Sequence, residues 1–152
     1  MVVLLARYLP NSPQMKAIIP RSALLLVFAL LLIGGAKAQE VVRDKVVQAM
    51  KTGNSRDLVE HFIPNIDLTV KDNADVYSKA QAEQILRKFF NDHPPVDMVI
   101  EHSGLSKFGD KYFIGILRTR SGYFRVTFFL KKMDGGEMQV KQLRIENSKN
   151  DL

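Results

Sequence analysis

Apolar positions recur with two different periods along this chain, and the first stretch is helical in character. Val42, Val46, Ala49 and Met50 stand at helical spacing, and Gly53 follows as a stop, which predicts a helix over Glu40–Thr52. Asn54 or Ser55 then caps a short second helix through Phe62, ended by Pro64. Ile66–Val70 alternates and reads as a strand, Asp72–Asp75 as a polar turn, and Val76-Tyr77 as a short return strand. Ser78 opens the clearest helix. Ser78 and Gln81 have capping-box spacing, so each satisfies a backbone N–H that the first helical turn leaves free. Ala82, Ile85, Leu86, Phe89 and Phe90 make one apolar face, and Pro94-Pro95 closes the element.

Beyond the prolines the period changes to two. Strands are predicted over Val96–His102, Lys111–Arg120, Tyr123–Lys132 and Glu137–Glu146, with a polar tail at Asn147–Leu152. Ser121-Gly122 suits a two-residue hairpin turn, because glycine accepts positive φ, and Asp134-Gly135-Gly136 makes the next turn. Helices first and a meander afterwards give an α+β class, with the helices on one sheet face.

With Ser121-Gly122 as the turn, Leu117 faces Val126, Gly115 faces Phe128 and Phe113 faces Leu130, all on the core side. The opposite side should be polar in a two-layer domain. Instead Tyr112, Ile114, Ile116 and Phe129 lie there. If Leu143 and Ile145 join the core, Met138 and Val140 join this second patch. Such a belt is expected to be covered, either in a homodimer or, within one chain, by curvature of the sheet, a bulge or a loop. On the same face Arg118 opposes Arg125 and Arg120 opposes Tyr123. Like charges facing each other are relieved by an anion or acidic partner, with Arg144 nearby, or by splaying into water.

The first 38 residues differ in kind. They hold Arg7, Lys16, Arg21 and Lys37 and no acid, an apolar run Ala23–Ile33, and a small-residue stretch ending in Ala36-Lys37-Ala38. These are the three parts of a secretory signal peptide, with cleavage expected between Ala38 and Gln39. The apolar run has about half the roughly 20 residues that a spanning helix needs. Counted from Met15 the leader has an ordinary length, so residues 1–14 read as an extension upstream of the true start. No cysteine exists to carry a lipid after the cut, so a soluble periplasmic or secreted product is expected, which meets the membrane only during export. Removing the leader takes four of the 22 basic residues. The remaining 18, against 16 acidic residues, leave only +2, so the charge gives no case for nucleic acid. The absence of cysteine excludes disulfides and thiol chemistry.

Catalytic motifs are missing. There is no phosphate-binding glycine loop, nucleophile elbow or HExxH pattern. His61, His93 and His102 lack ligand spacing, and Asp72, Asn73 and Asp75 read as a turn rather than a calcium loop, so neither metal nor cofactor is expected. His102 shares parity with Val96, Met98 and Ile100 and is the one candidate acid–base group pointing inward, with Tyr77 or an acid from another strand as a partner. The competing reading is a solvated strand end.

Asp75–Ala82, Phe89-Phe90 with Pro94-Pro95, Gly115, Gly122–Val126 and Gln142–Glu146 carry a resemblance that spans about Glu40–Glu146. The chain resembles a domain-of-unknown-function family of small exported Bacteroidetes proteins with a nuclear-transport-factor-2-like fold of the cystatin-like superfamily. The resemblance implies a cone-shaped, curved and mostly antiparallel sheet around helices, often with an apolar pocket, in a fold shared by isomerases, dehydratases, ligand binders and dimeric modules. It supplies no catalytic residue set. The function expected is a non-enzymatic module binding a small ligand or another protein. The alternative is a cone-fold enzyme of isomerase or hydratase type using His102 or a buried acid.

Overall fold

The chain's computed structural model describes residue 37 and residues 39–148. Apart from Lys37, the expected leader lies outside the described residues, as do the last four positions. Helix α1 (residues 39–52) ends where the sequence says it should. Gly53 sits at φ +64°, its N–H donates to the Met50 carbonyl, and the Asn54 N–H donates to that of Ala49. This is a Schellman C-cap, which satisfies carbonyls that the last turn orphans. Asn54 then turns from C-cap to N-cap, its side chain accepting from the Asp57 N–H to start α2 (Ser55–Glu60).

The second helix stops two residues earlier than the sequence suggests. Phe62 opens β1 (Phe62–Val70), because its partner is Val140, and the His61 carbonyl accepts the Val140 N–H at 2.7 Å. Pro64 lies in the irregular stretch between the Phe62 and Asp67 pairings, where its missing N–H removes no ladder bond. A two-residue loop, Lys71-Asp72, leads to β2 (Asn73–Ser78), which is longer than the predicted return strand. The Ser78–Gln81 capping box forms as expected and starts α3 (Lys79–Asp92), which His93 caps before the prolines.

β3 (Pro95–Leu105), β4 (Lys111–Thr119), β5 (Gly122–Lys132) and β6 (Met138–Asn147) form the antiparallel meander. The six strands are ordered β2-β1-β6-β5-β4-β3, and β1 against β6 is the parallel pair. The helices bury Val46, Met50, Leu58, Leu86 and Phe90 against the inner residues of this sheet. Phe62, Phe113, Phe128 and Leu130 fill the centre, with Phe113 stacked on Phe128 at 5.1 Å.

The β4–β5 register differs from expectation by two residues. The loop is Arg120-Ser121, and Thr119 pairs with Gly122. The Thr119 hydroxyl accepts from the Ser121 N–H and donates to the Gly122 carbonyl, so a side chain closes the turn. A two-residue shift keeps every side chain on its expected face but changes every partner. Gly115 therefore faces Val126, and its bare backbone accommodates β3 instead: a Cβ there would stand 2.3 Å from the Val99 carbonyl oxygen.

Bulges reverse parity elsewhere, and those at Lys141 and Glu101 overturn expected faces. Lys141 is an extra residue between the Leu130–Val140 and Phe129–Gln142 pairs, so Val140 turns inward and is fully buried. Val140 is a core residue rather than part of the outer patch, and Met138 packs against the same core. Glu101 is likewise extra between the Ile100–Gly115 and His102–Ile114 pairs, which turns His102 out of the core side into solvent.

Candidate functional site

The pairings place the outer side chains in rows across the sheet. One row runs Asp97, Arg118, Tyr123, and the next Val99, Ile116, Arg125, Glu146. A third runs His102, Ile114, Thr127, Arg144, and a fourth Gly104, Tyr112, Phe129, Gln142. The four predicted patch residues Tyr112, Ile114, Ile116 and Phe129 are thus neighbours, and all are half-buried. Val99 extends them to the β3 edge at 56% exposed, and Tyr123 extends them beyond Arg125. The Tyr112 and Phe129 rings lie 5.8 Å apart. Tyr112 also lies over Gly104, whose absent Cβ would meet the phenol oxygen at 2.6 Å. The aromatic ring covers backbone that the glycine leaves bare.

The expected arginine pair does not face itself. Arg118 stands between Asp97 and Tyr123, and Arg125 between Ile116 and Glu146, because the two-residue loop lies one position earlier than expected and moves each partner along by two. Arg120 is in the loop and no longer opposes Tyr123. Arg118, Arg125 and Arg144 are exposed, and none forms a hydrogen bond or ion pair among the described residues. Asp97 is held on its other side by Lys51 of α1 at 3.0 Å. That hydrogen bond, then the one from the Met98 N–H, lowers its pKa, with a smaller contribution from Arg118.

His102 and Tyr77 cannot act together, since β3 and β2 are opposite edges of the sheet. Tyr77 instead packs against the core and lines a separate cleft between α3 and the β1–β2 hairpin. No sequence pattern assigned a binding role to the residues that line this cleft with it, His93 and Lys71 among them. His93 packs between Phe89 and Phe124 at 5.0 and 4.9 Å, and its Nδ1 lies 2.5 Å from Ser121 Oγ. Burial, then the nearby Lys71 ammonium, pushes its pKa below the ordinary histidine value, against a smaller opposing pull from Asp92. Among the described residues, no three His, Cys, Asp or Glu side chains cluster as a cation would need. No helix among them is long and apolar enough to cross a membrane.

Solved structures share this architecture. A DUF4783 family protein from Bacteroides ovatus matches with 26% identity and a TM-score of 0.64, over 70% of this chain and 94% of the other. One from Bacteroides uniformis matches with 29% identity and the same TM-score, over 70% and 97%. A domain of unknown function with a cystatin-like fold from Nostoc punctiforme shares the fold at 9% identity and a TM-score of 0.60, over 78% and 80%. The fold is nuclear-transport-factor-2-like, as the resemblance implied. No curated protein matches the chain in sequence. The model of a domain of unknown function, DUF4783, matches residues 43–146, and the chain belongs to that family.

Proposed function

We propose that this chain is an exported, non-enzymatic interaction module that pairs with a second copy of itself through the outer face of its sheet. The observation that carries the reading is the continuous strip of Val99, Ile116, Ile114, Tyr112 and Phe129 on a face that a two-layer domain would leave polar. Unpaired Arg118, Arg125 and Arg144 share that face with Asp97 and Glu146. A two-fold axis through it brings bases of one copy toward acids of the other, and aligned sheet packing buries the strip.

The reading is preferred to the enzyme alternative because His102, the acid–base group that alternative names, stands in solvent opposite Ile114. Export rests on the leader read from the sequence. It is checked by N-terminal sequencing of the protein recovered outside the cytoplasm, where Gln39 is expected first.

The pairing is tested by sedimentation at micromolar concentration. A dimer is expected for the native chain and a monomer for Ile114→Glu, with the melting temperature of the monomeric fold retained. A native chain that sediments as a monomer at that concentration removes the reading.

A further inference from the structure

We infer that the cleft between α3 and the β1–β2 hairpin is a binding site for a small amphipathic carboxylate. The cleft has a volume of about 290 Å³, at the small end of the roughly 300–1,000 Å³ typical of ligand sites. It lies at one end of the domain, and the pairing proposed above does not use its lining. α3 presents Ile85, Lys88, Phe89 and Asp92 to it, residues that recur at three and four positions and so form one stripe of the helix. Leu68 and Val70 of β1 complete an apolar floor opposite, and Tyr77 forms a wall.

Its charge is unbalanced in one direction. Lys88 is neutralised by Asp92, whose carboxylate lies 2.8 Å away. Lys71 forms no ion pair or side-chain hydrogen bond among the described residues, so the lining carries one uncompensated ammonium above an apolar floor. His93 shares the lining, and burial first and that ammonium second lower its pKa.

The backbone at Lys71 points the same way. It is the non-glycine residue at positive φ among the described residues, at +57°. The first position of a tight hairpin loop needs this conformation, and glycine or asparagine takes it with least strain. The backbone is fixed in it by the residue 71 N–H, which donates to the Ile145 carbonyl of the neighbouring strand β6 at 2.7 Å. Strain fixed by surrounding structure clusters at ligand sites, and here it holds the lysine in the lining of a concave site. An apolar tail on the floor and a carboxylate on Lys71 satisfy both halves of the lining.

Octanoate is the probe, titrated into the full chain and followed by calorimetry and by histidine ring signals in NMR spectra. Saturable one-to-one binding is expected, with the His93 signals moving and those of His102 unmoved. Lys71→Gly removes the ammonium while relieving the backbone, so its fold is secure. It should weaken octanoate about tenfold or more, and Lys71→Arg should restore it. Octanol lacks the charge and should bind the native chain weakly and equally in both variants. Three results overturn the inference: no saturation by octanoate at millimolar concentration, unchanged affinity in Lys71→Gly, or octanol binding as tightly as octanoate. None of these bears on the oligomeric state, so the two proposals fail separately.

Discussion

His93 Nδ1 lies 2.5 Å from Ser121 Oγ, and this contact ties the C-cap of α3 to the β4–β5 turn. A backbone bond supports it, from the Arg120 N–H to the Pro94 carbonyl at 3.0 Å. The pair anchors the C-terminal end of α3 to the β4–β5 turn. Ser121→Ala leaves the partly buried ring nitrogen without its partner. We expect a loss of about 1 kcal/mol, read from urea denaturation. Ser121→Thr keeps a hydroxyl and should lose less. An unchanged midpoint in Ser121→Ala would show the contact to be incidental.

The same histidine sets a pH dependence, shared with His61. Burial lowers the pKa of both. At His93 the Lys71 ammonium adds to it, and at His61 the Lys45 ammonium does. The fold therefore prefers their neutral forms, and the unfolded chain takes up protons first as pH falls. Their contribution is complete above the ordinary value of 6.5 and is lost as pH drops through the lower folded values. A second loss follows at more acid pH, since Asp92 and Asp97 are depressed below 3.8 by hydrogen bonds from Lys88 and Lys51. Urea midpoints should fall between pH 7.5 and 5.5, and His93→Gln should flatten that slope. A midpoint that rises on acidification over this range contradicts the sign.

The elements were legible in the sequence wherever the signal was local. Gly53 and the Ser78–Gln81 box are caps, and a cap acts within one helical turn. The outer patch was legible too, because Tyr112, Ile114 and Ile116 keep their face whether the hairpin turns at residue 120 or 121. Val140 and His102 were not, since each lies beyond a bulge, and one extra residue reverses every side chain that follows. The cleft was hidden for another reason. It needs β1 to lie parallel to β6, which brings the Lys71 loop to the last turn of α3, and no sequence period reports that closure.

Gly115 is the position where the sheet tolerates least. It pairs with Ile100 beside the Glu101 bulge, and an added Cβ would lie 2.3 Å from the Val99 carbonyl oxygen and 3.1 Å from Ile100 Cα. Both are backbone atoms, so no side chain can swing aside. Gly115→Ala must spread β3 from β4 and should cost about 2 kcal/mol or more. Gly104→Ala provides the contrast. There the obstacle is the Tyr112 ring, which rotates away. Its cost should be smaller, and it should appear as altered Tyr112 fluorescence and self-association. Equal losses at the two glycines would mean that strand separation is not the cause.

The division between core and outer face is tested most directly by a pair of alanine substitutions in the meander. Val140 and Ile114 are both aliphatic strand residues, and the bulge at Lys141 decides that the first is fully buried while the second is only half covered. Val140→Ala leaves a cavity beside Phe62 and Leu130, its cross-strand partners, and should destabilise the chain by about 2 kcal/mol at any protein concentration. Ile114→Ala removes area from the proposed contact between copies. Its effect on the melting temperature should be small in dilute protein and grow with concentration, because only the associated state loses the contact. If Val140→Ala proves the concentration-dependent variant and Ile114→Ala the uniform one, the bulge has been assigned to the wrong side and the outer face is not where copies meet.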